Sequence, residues 1–237
     1  HMYGGFAGVE TEQSQRNWNV NASILDGQSS GSVITFQSGY RISTLDGFTI
    51  RNGRGTRSGS YNYGGGIYCN SYSSPTIMNN KLLNNSASYG GGICCYNYSS
   101  PLLANNSFNA NSAAGGGAIY CYYSSPAILN SVITGNTATD GGGIQCVYSS
   151  SLIVNNTFTG NVSSTGGGIY CSSSTPTIVN NIVAFNSTGI YKSSSTGTPT
   201  LRNNDFYGNA VYNYSGLSAG TGDMTQDPML VAVAYGK

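Results

Sequence analysis

Apolar residues in this chain come in short alternating bursts and never in helical runs. The triplet Gly-Gly-Gly recurs at 64–66, 90–92, 115–117, 141–143 and 166–168, each time ahead of an apolar-rich tetrad: I-Y-C-N, I-C-C-Y, A-I-Y-C, I-Q-C-V and I-Y-C-S. Two further short runs follow in each unit, such as T-I-M at 76–78 and L-L at 82–83, with Gly, Ser and Asn between them. Period-two alternation bounded by turn residues reads as β-strand. The units starting at residues 64, 90, 115, 141, 166 and 189 are 22–26 residues long. Three strands and three turns in a unit of that length predict one coil of a parallel β-solenoid. Leucine-rich repeats share the period but need an L-x-x-L-x-L frame that these units lack.

Alternation assigns the columns of the solenoid, because side chains two apart share a face and equivalent strands stack about 4.8 Å apart. Ile67, Ile93, Ile119, Ile144, Ile169 and Ile190 point inward, and so, two residues on, do Cys69, Cys95, Cys121, Cys146 and Cys171, until Lys192 breaks the column. The second strand buries Ile77, Leu103, Ile128, Ile153, Ile178 and Leu201; the third buries Leu82, Phe108, Ile133, Phe158, Val183 and Phe206. Two asparagine columns mark the turns, one at 79, 105, 130, 155, 180 and 203 and one at 85, 111, 136, 161, 186 and 209. Both are expected to be structural, each amide bonding the coils above and below, so their N-x-S/T sequons are not read as glycosylation sites.

Fainter coils precede the regular ones, with VITF at 33–36 and LDGFTI at 45–50 reading as strands and 51–63 as a longer loop holding Arg51, Arg54 and Arg57. The expected organisation is a cloning remnant at 1–2 and a single all-β domain at 3–237. Within it, N-terminal coils and the loop fill 3–63, regular repeats fill 64–210, and a last coil with a cap or tail fills 211–237. About eight coils, three strands each, make a rod some 35–40 Å long at that spacing.

The sequence also carries YGGFAG at 3–8, LDGFTIRNG at 45–53, GGAI at 116–119 and the tetrads FNAN, FTGN and FYGN beginning at 108, 158 and 206. The last two patterns resemble the paired GGA(I/L/V) and FxxN motifs of the polymorphic outer membrane proteins of chlamydiae, although most units here read GGG. More broadly, nearly the whole chain resembles right-handed parallel β-helix proteins of the pectate-lyase-like superfamily, including large bacterial surface proteins. The resemblance implies a right-handed helix and a secreted or cell-surface setting, in a piece of a longer bacterial protein. It says little about activity, since β-helices serve adhesins, lyases, hydrolases and phage spikes alike.

Composition narrows the function. Only 7% of residues are charged and the net charge is +1, with no basic block, so a nucleic-acid partner is not expected. No apolar run reaches the roughly 20 residues of a membrane span. A polysaccharide lyase or hydrolase needs carboxylates converging on the outer face, whereas the outward column of the first strand reads Tyr68, Cys94, Tyr120, Gln145, Tyr170 and Tyr191. The nearest candidates for a paired carboxylate are Asp46 with Arg51 and Asp205 with Arg202. The cysteines form a linear column rather than a C-x-x-C cluster, so no metal or cofactor is expected, and Cys94, facing out, is expected to be the reactive thiol.

What remains is the outer surface. Tyr68, Tyr120, Tyr170 and Tyr191, continued by Tyr212, form one expected aromatic ladder, and Tyr72, Tyr98, Tyr123 and Tyr148 of the Y-S-S motif form another. Rigid amphipathic rings of this kind stack on sugars or seat a protein partner. An apolar stripe of Met78, Ala104, Leu129, Val154 and Val179, flanked by Leu102, Ala127 and Leu152, is a candidate docking face, with the tail at 229–233 as its candidate cover. Its flank lacks the regular threonine array of an ice-binding face. The expected function is non-catalytic adhesion to a polysaccharide or cell-surface protein, with a polysaccharide-active enzyme or a structural spacer as alternatives.

Overall fold

The computed structural model describes residues 1–37, 43–193 and 195–231. The chain winds through three parallel sheets of eight strands each, one strand per sheet per coil. The first sheet runs from Met2–Tyr3 to Thr200–Arg202, the second from Ser23–Asp26 to Asp205–Tyr207, and the third from Ile34–Gln37 to Tyr214–Ser215. VITF contributes to the third sheet, and LDGFTI splits at Gly47, Thr44–Asp46 joining the first sheet and Phe48–Arg51 the second. The expected loop at 51–63 contains an antiparallel hairpin, Thr56–Ser58 against Tyr61–Tyr63.

Stacking is in register, so like residues meet along the rod: Ile93 pairs with Ile67 on one side and Ile119 on the other, and Cys95 with Cys69 and Cys121. All four expected core columns are buried and form one continuous cluster. The glycine triplets follow from the same stacking. Gly64, Gly90, Gly116, Gly141 and Gly166 have φ between +60° and +66°, a conformation that side-chain-bearing residues avoid. At the next position a Cβ on Gly65, Gly91 or Gly117 would lie 2.3–2.5 Å from the carbonyl oxygen of the following coil. At the third position a Cβ on Gly66, Gly92 or Gly143 would lie 2.4–2.7 Å from the corresponding oxygen, and there Ala118 replaces glycine in one coil.

The interior polar groups differ from expectation at one corner. Asn79, Asn105, Asn130, Asn155, Asn180 and Asn203 are the left-handed residues of the turn, with φ of +48° to +56° for five of them and +57° for Asn155, and they are at least partly exposed. A left-handed residue reverses the alternation, so the next residue points inward. The buried ladder is therefore Asn80, Asn106, Ser131, Asn156, Asn181 and Asn204. At the following corner the expected column is the observed one. The side chain of Asn111 accepts from the backbone N–H of Asn85 at 3.1 Å and its amide at 3.0 Å, while its own amide donates to Leu82 O at 2.9 Å and to Asn136 Oδ1 at 2.9 Å. A third ladder, unforeseen, uses serine: Ser73 N–H donates to Ser99 Oγ, Ser99 N–H to Ser124 Oγ and Ser149 N–H to Ser174 Oγ, each at 3.0–3.1 Å. Asp223 ends the first ladder by accepting from the backbone and side-chain amides of Asn204 at 2.8 and 3.0 Å.

Each ladder asparagine satisfies several buried partners at once, whereas a turn asparagine chiefly supplies a left-handed backbone. Asn136→Ala strands buried groups that each cost about 1–3 kcal/mol and is expected to destabilise the fold by several kcal/mol. Asn130→Ala loses only the conformational preference of about 1–2 kcal/mol. Urea unfolding of the two variants checks this, and equal losses would contradict the ladder assignment.

Candidate functional site

The corner between the third sheet and the next coil's first sheet carries the Y-S-S-P motif. Its serines divide their work: Ser73 and its equivalents turn inward to the buried ladder, while Ser74, Ser100, Ser125 and Ser150 stay exposed and bond coil to coil. Ser125 N–H donates to Ser100 Oγ at 2.8 Å, and Ser150 N–H to Ser125 Oγ at 2.9 Å. A proline at 75, 101 and 126 then leads into the strand, its φ already suited to extended backbone.

The residue before these serines is the unusual one. Tyr72, Tyr98, Tyr123 and Tyr148 have φ of +63°, +62°, +46° and +50°. Bulky side chains are rare in this region, at a cost of about 1–2 kcal/mol each. In the six regular coils the corner after the first sheet uses asparagine for the same conformation, and the corner after the second uses Asn84, Gly135, Gly160 and Gly208 in four coils and Ala110 and Phe185 in the other two. Here the rings stand 40–57% exposed. Tyr72 stacks on Tyr98 with centroids 5.3 Å apart, Tyr98 meets Tyr123 at 6.1 Å, and Tyr123 stacks on Tyr148 at 4.7 Å. Tyr96 and Tyr122, themselves stacked at 5.1 Å, border the strip, with Tyr122 edge-on to Tyr123 at 4.7 Å.

The other tyrosine column differs from expectation. Alternation does turn Tyr68, Cys94, Tyr120 and Gln145 outward, but a fourth layer covers them. Ser112–Gly115 pairs in parallel with Thr137–Asp140, and single bridges continue the layer from Tyr63 through Tyr89 and Gly115 and from Asp140 to Thr165. Beneath it Tyr68 and Tyr120 are only 6% and 7% exposed and pack with Cys94 in a second small core. Cys94 is fully buried and burial pushes its thiol well above the usual range, so it is not the reactive cysteine expected from alternation. Beyond the cover Tyr170 and Tyr191 are half-buried and stack at 5.6 Å, with Tyr212 continuing the run at 6.4 Å. The structure thus separates the eight candidate tyrosines into an exposed strip of four, a buried pair and a half-buried pair.

The apolar stripe of Met78, Ala104, Leu129, Val154 and Val179 lies on the first sheet as expected and is half-buried, between exposed Leu102 and Leu152 and the turn asparagines. The tail does not cover it within the described residues, since Met229 and Val231 are each 83% exposed; 232 and 233 lie outside them. The carboxylates have other partners than expected. Asp46 pairs with Arg16 rather than Arg51, and Arg51 pairs with Asp26 at 2.7 Å. Asp205 accepts from the backbone of Gln226 at 3.1 Å. Among the described residues no three of His, Cys, Asp or Glu converge as a metal site would require, and no helix is long and apolar enough to cross a membrane.

Comparison with protein families agrees with this geometry. The model of the right handed beta helix region matches residues 7–165 and, in a second overlapping alignment, 65–225. The chain belongs to the right handed beta helix family. Searches of curated proteins and of solved structures return no match. For this β-helix, then, the site must be argued from its own residues.

The covered tyrosines have a consequence for pH dependence. Burial, with smaller contributions from Tyr96, Cys94 and Tyr89, pushes the Tyr63 hydroxyl from 10.0 up to about 12, and burial raises Tyr68 and Tyr120 as well. A folded value above the unfolded one means that their contribution is intact below pH 10 and is lost as pH rises past it, because the unfolded chain ionises first. Tyrosinate absorbance is expected to show a subset of the 19 tyrosines resisting ionisation up to about pH 12, while the urea midpoint falls between pH 10 and 12. Uniform titration near pH 10 without unfolding would contradict the covered core.

Proposed function

We propose that this β-helix is a non-catalytic binding module of a bacterial cell surface or secreted protein, and that it holds polysaccharide along the Tyr72–Tyr148 strip. The observation that carries the reading is the left-handed conformation of all four tyrosines. Backbone strain retained at exposed positions in four successive coils, where the corner after the first sheet of those coils relieves it with asparagine, points to side chains kept for what they touch. The chemistry is that of a sugar-binding face: aromatic rings for the apolar faces of pyranoses and, beside them, the hydroxyl row of Ser74, Ser100, Ser125 and Ser150 for hydrogen bonds. Because the coils stack in register, a polysaccharide lying along the rod meets one ring and one hydroxyl per coil.

The test is a glycan-array screen followed by calorimetry with oligosaccharides of increasing length. For a ligand found on the array, affinity is expected to rise about two- to tenfold per added sugar and to level off once all four rings are covered. Replacing Tyr98 and Tyr123 together with alanine interrupts the strip at its centre and is expected to abolish the gain with length. No binding to any glycan, or binding indifferent to both chain length and the double substitution, would refute the assignment.

A further inference from the structure

A concave feature lies at a different corner from the tyrosine strip, between the first and second sheets near the start of the rod. It is a groove of about 590 Å³ whose lining includes Trp18, Asn79, Lys81, Asn84, Asn105 and Asn109. Its aromatic wall is built in advance. The Arg16 guanidinium sits over the rings of both Tyr3 and Trp18, at 5.2 and 5.0 Å, and donates to the carbonyl oxygens of Gly4 and Asp46 at 3.3 and 3.2 Å. It also forms a buried ion pair with the Asp46 carboxylate. The other oxygen of that carboxylate accepts from the side-chain amide of Asn79 at 2.8 Å. One buried carboxylate therefore orients both the indole wall and an amide of the floor, the arrangement of a preorganised site rather than a crease between coils.

The free groups of the groove indicate what it takes. Trp18 lines both this groove and the neighbouring hollow that holds Arg16, and Arg16 does not line the groove. The Trp18 ring N–H, the Lys81 ammonium and the side-chain amides of Asn84 and Asn109 have no hydrogen-bond or ion-pair partner among the described residues. Among the described residues no carboxylate lines the groove. We propose that it is a saccharide subsite for a pyranose bearing one negative charge, a carboxylate or a sulfate ester. The indole stacks on the ring, the amides take vicinal hydroxyls, and Lys81 pairs with the anion. The site is independent of the tyrosine strip and shares no residue with it.

Trp18 is the only tryptophan of the chain, so its emission reports directly on this groove. The intact protein is titrated with a uronic-acid oligosaccharide, a sulfated oligosaccharide and the neutral counterpart of each. A saturable emission change is expected with one or both charged sugars, the one that responds identifying the anion, and with at least about tenfold weaker binding of the neutral form. Lys81→Met is expected to reduce the charged sugar to the neutral level with circular dichroism and unfolding unchanged, whereas the Tyr98 and Tyr123 alanine variant keeps the response. Emission indifferent to every sugar, equal affinity for charged and neutral forms, or full affinity in Lys81→Met would each overturn the proposal, whatever the outcome at the tyrosine strip.

Discussion

Everything in this rod depends on one constraint: each residue stands a single strand spacing from its counterparts in the coils before and after. An apolar residue at a column position is buried by two copies of itself, which is why Ile67, Ile93 and Ile119 pair in sequence and why one side-chain type suits a whole column. The same constraint decides the polar interior. A buried asparagine aligned with another accepts from its counterpart in the preceding coil and donates to the one in the following coil, while its second amide hydrogen goes to a main-chain carbonyl such as Leu82 O, so the Asn85-to-Asn209 ladder is satisfied from within the rod. It also excludes side chains where backbones approach most closely, and the glycine triplets mark those places.

Stacking also amplifies whatever the surface carries. A left-handed tyrosine is a small local cost; four in register make a continuous strip. The Asn79 column makes the same backbone conformation with asparagine, the residue that tolerates it best after glycine. The contrast between two corners of one coil separates what folding requires from what the tyrosines add. Near the start of the rod, where Arg16 and Trp18 pack beside the Asn79 column, the repetition is interrupted, and a groove replaces a uniform face.

Most of the architecture was legible in the sequence because the core columns obey strict period-two alternation, and repetition lets six weak patterns reinforce one another. The errors have identifiable causes. In Asn79-Asn80 the left-handed first residue reverses the count, so the buried amide is the second of the pair, and the sequence alone did not distinguish them. Cys94, Tyr68 and Tyr120 do face outward from their strands; they are buried because segments such as Ser112–Gly115 pair with each other and lie over them. Those segments are short and made of small or polar residues, and their one sequence signal is the tyrosine directly before the glycines at 63 and 89. The exposed strip was nameable from the recurring Y-S-S motif, but its strained conformation, which distinguishes it from the buried column, has no signature in alternation. The Trp18 groove escaped notice because its parts, at 16–19, 46 and 79–109, belong to no common repeat position.

The central claim is that Tyr98 and its equivalents are kept for contact with a ligand, against the preference of the backbone. The most direct measurement is a paired one on Tyr98→Asn: unfolding free energy, and affinity for the polysaccharide bound by the intact chain. Asparagine relieves a conformational cost of about 1–2 kcal/mol while losing ring stacking worth about 0.5–1.5 kcal/mol. Stability unchanged within about 1 kcal/mol, together with a clear loss of affinity, is the predicted result. A variant several kcal/mol less stable, or one that binds as well as the intact chain, would contradict it.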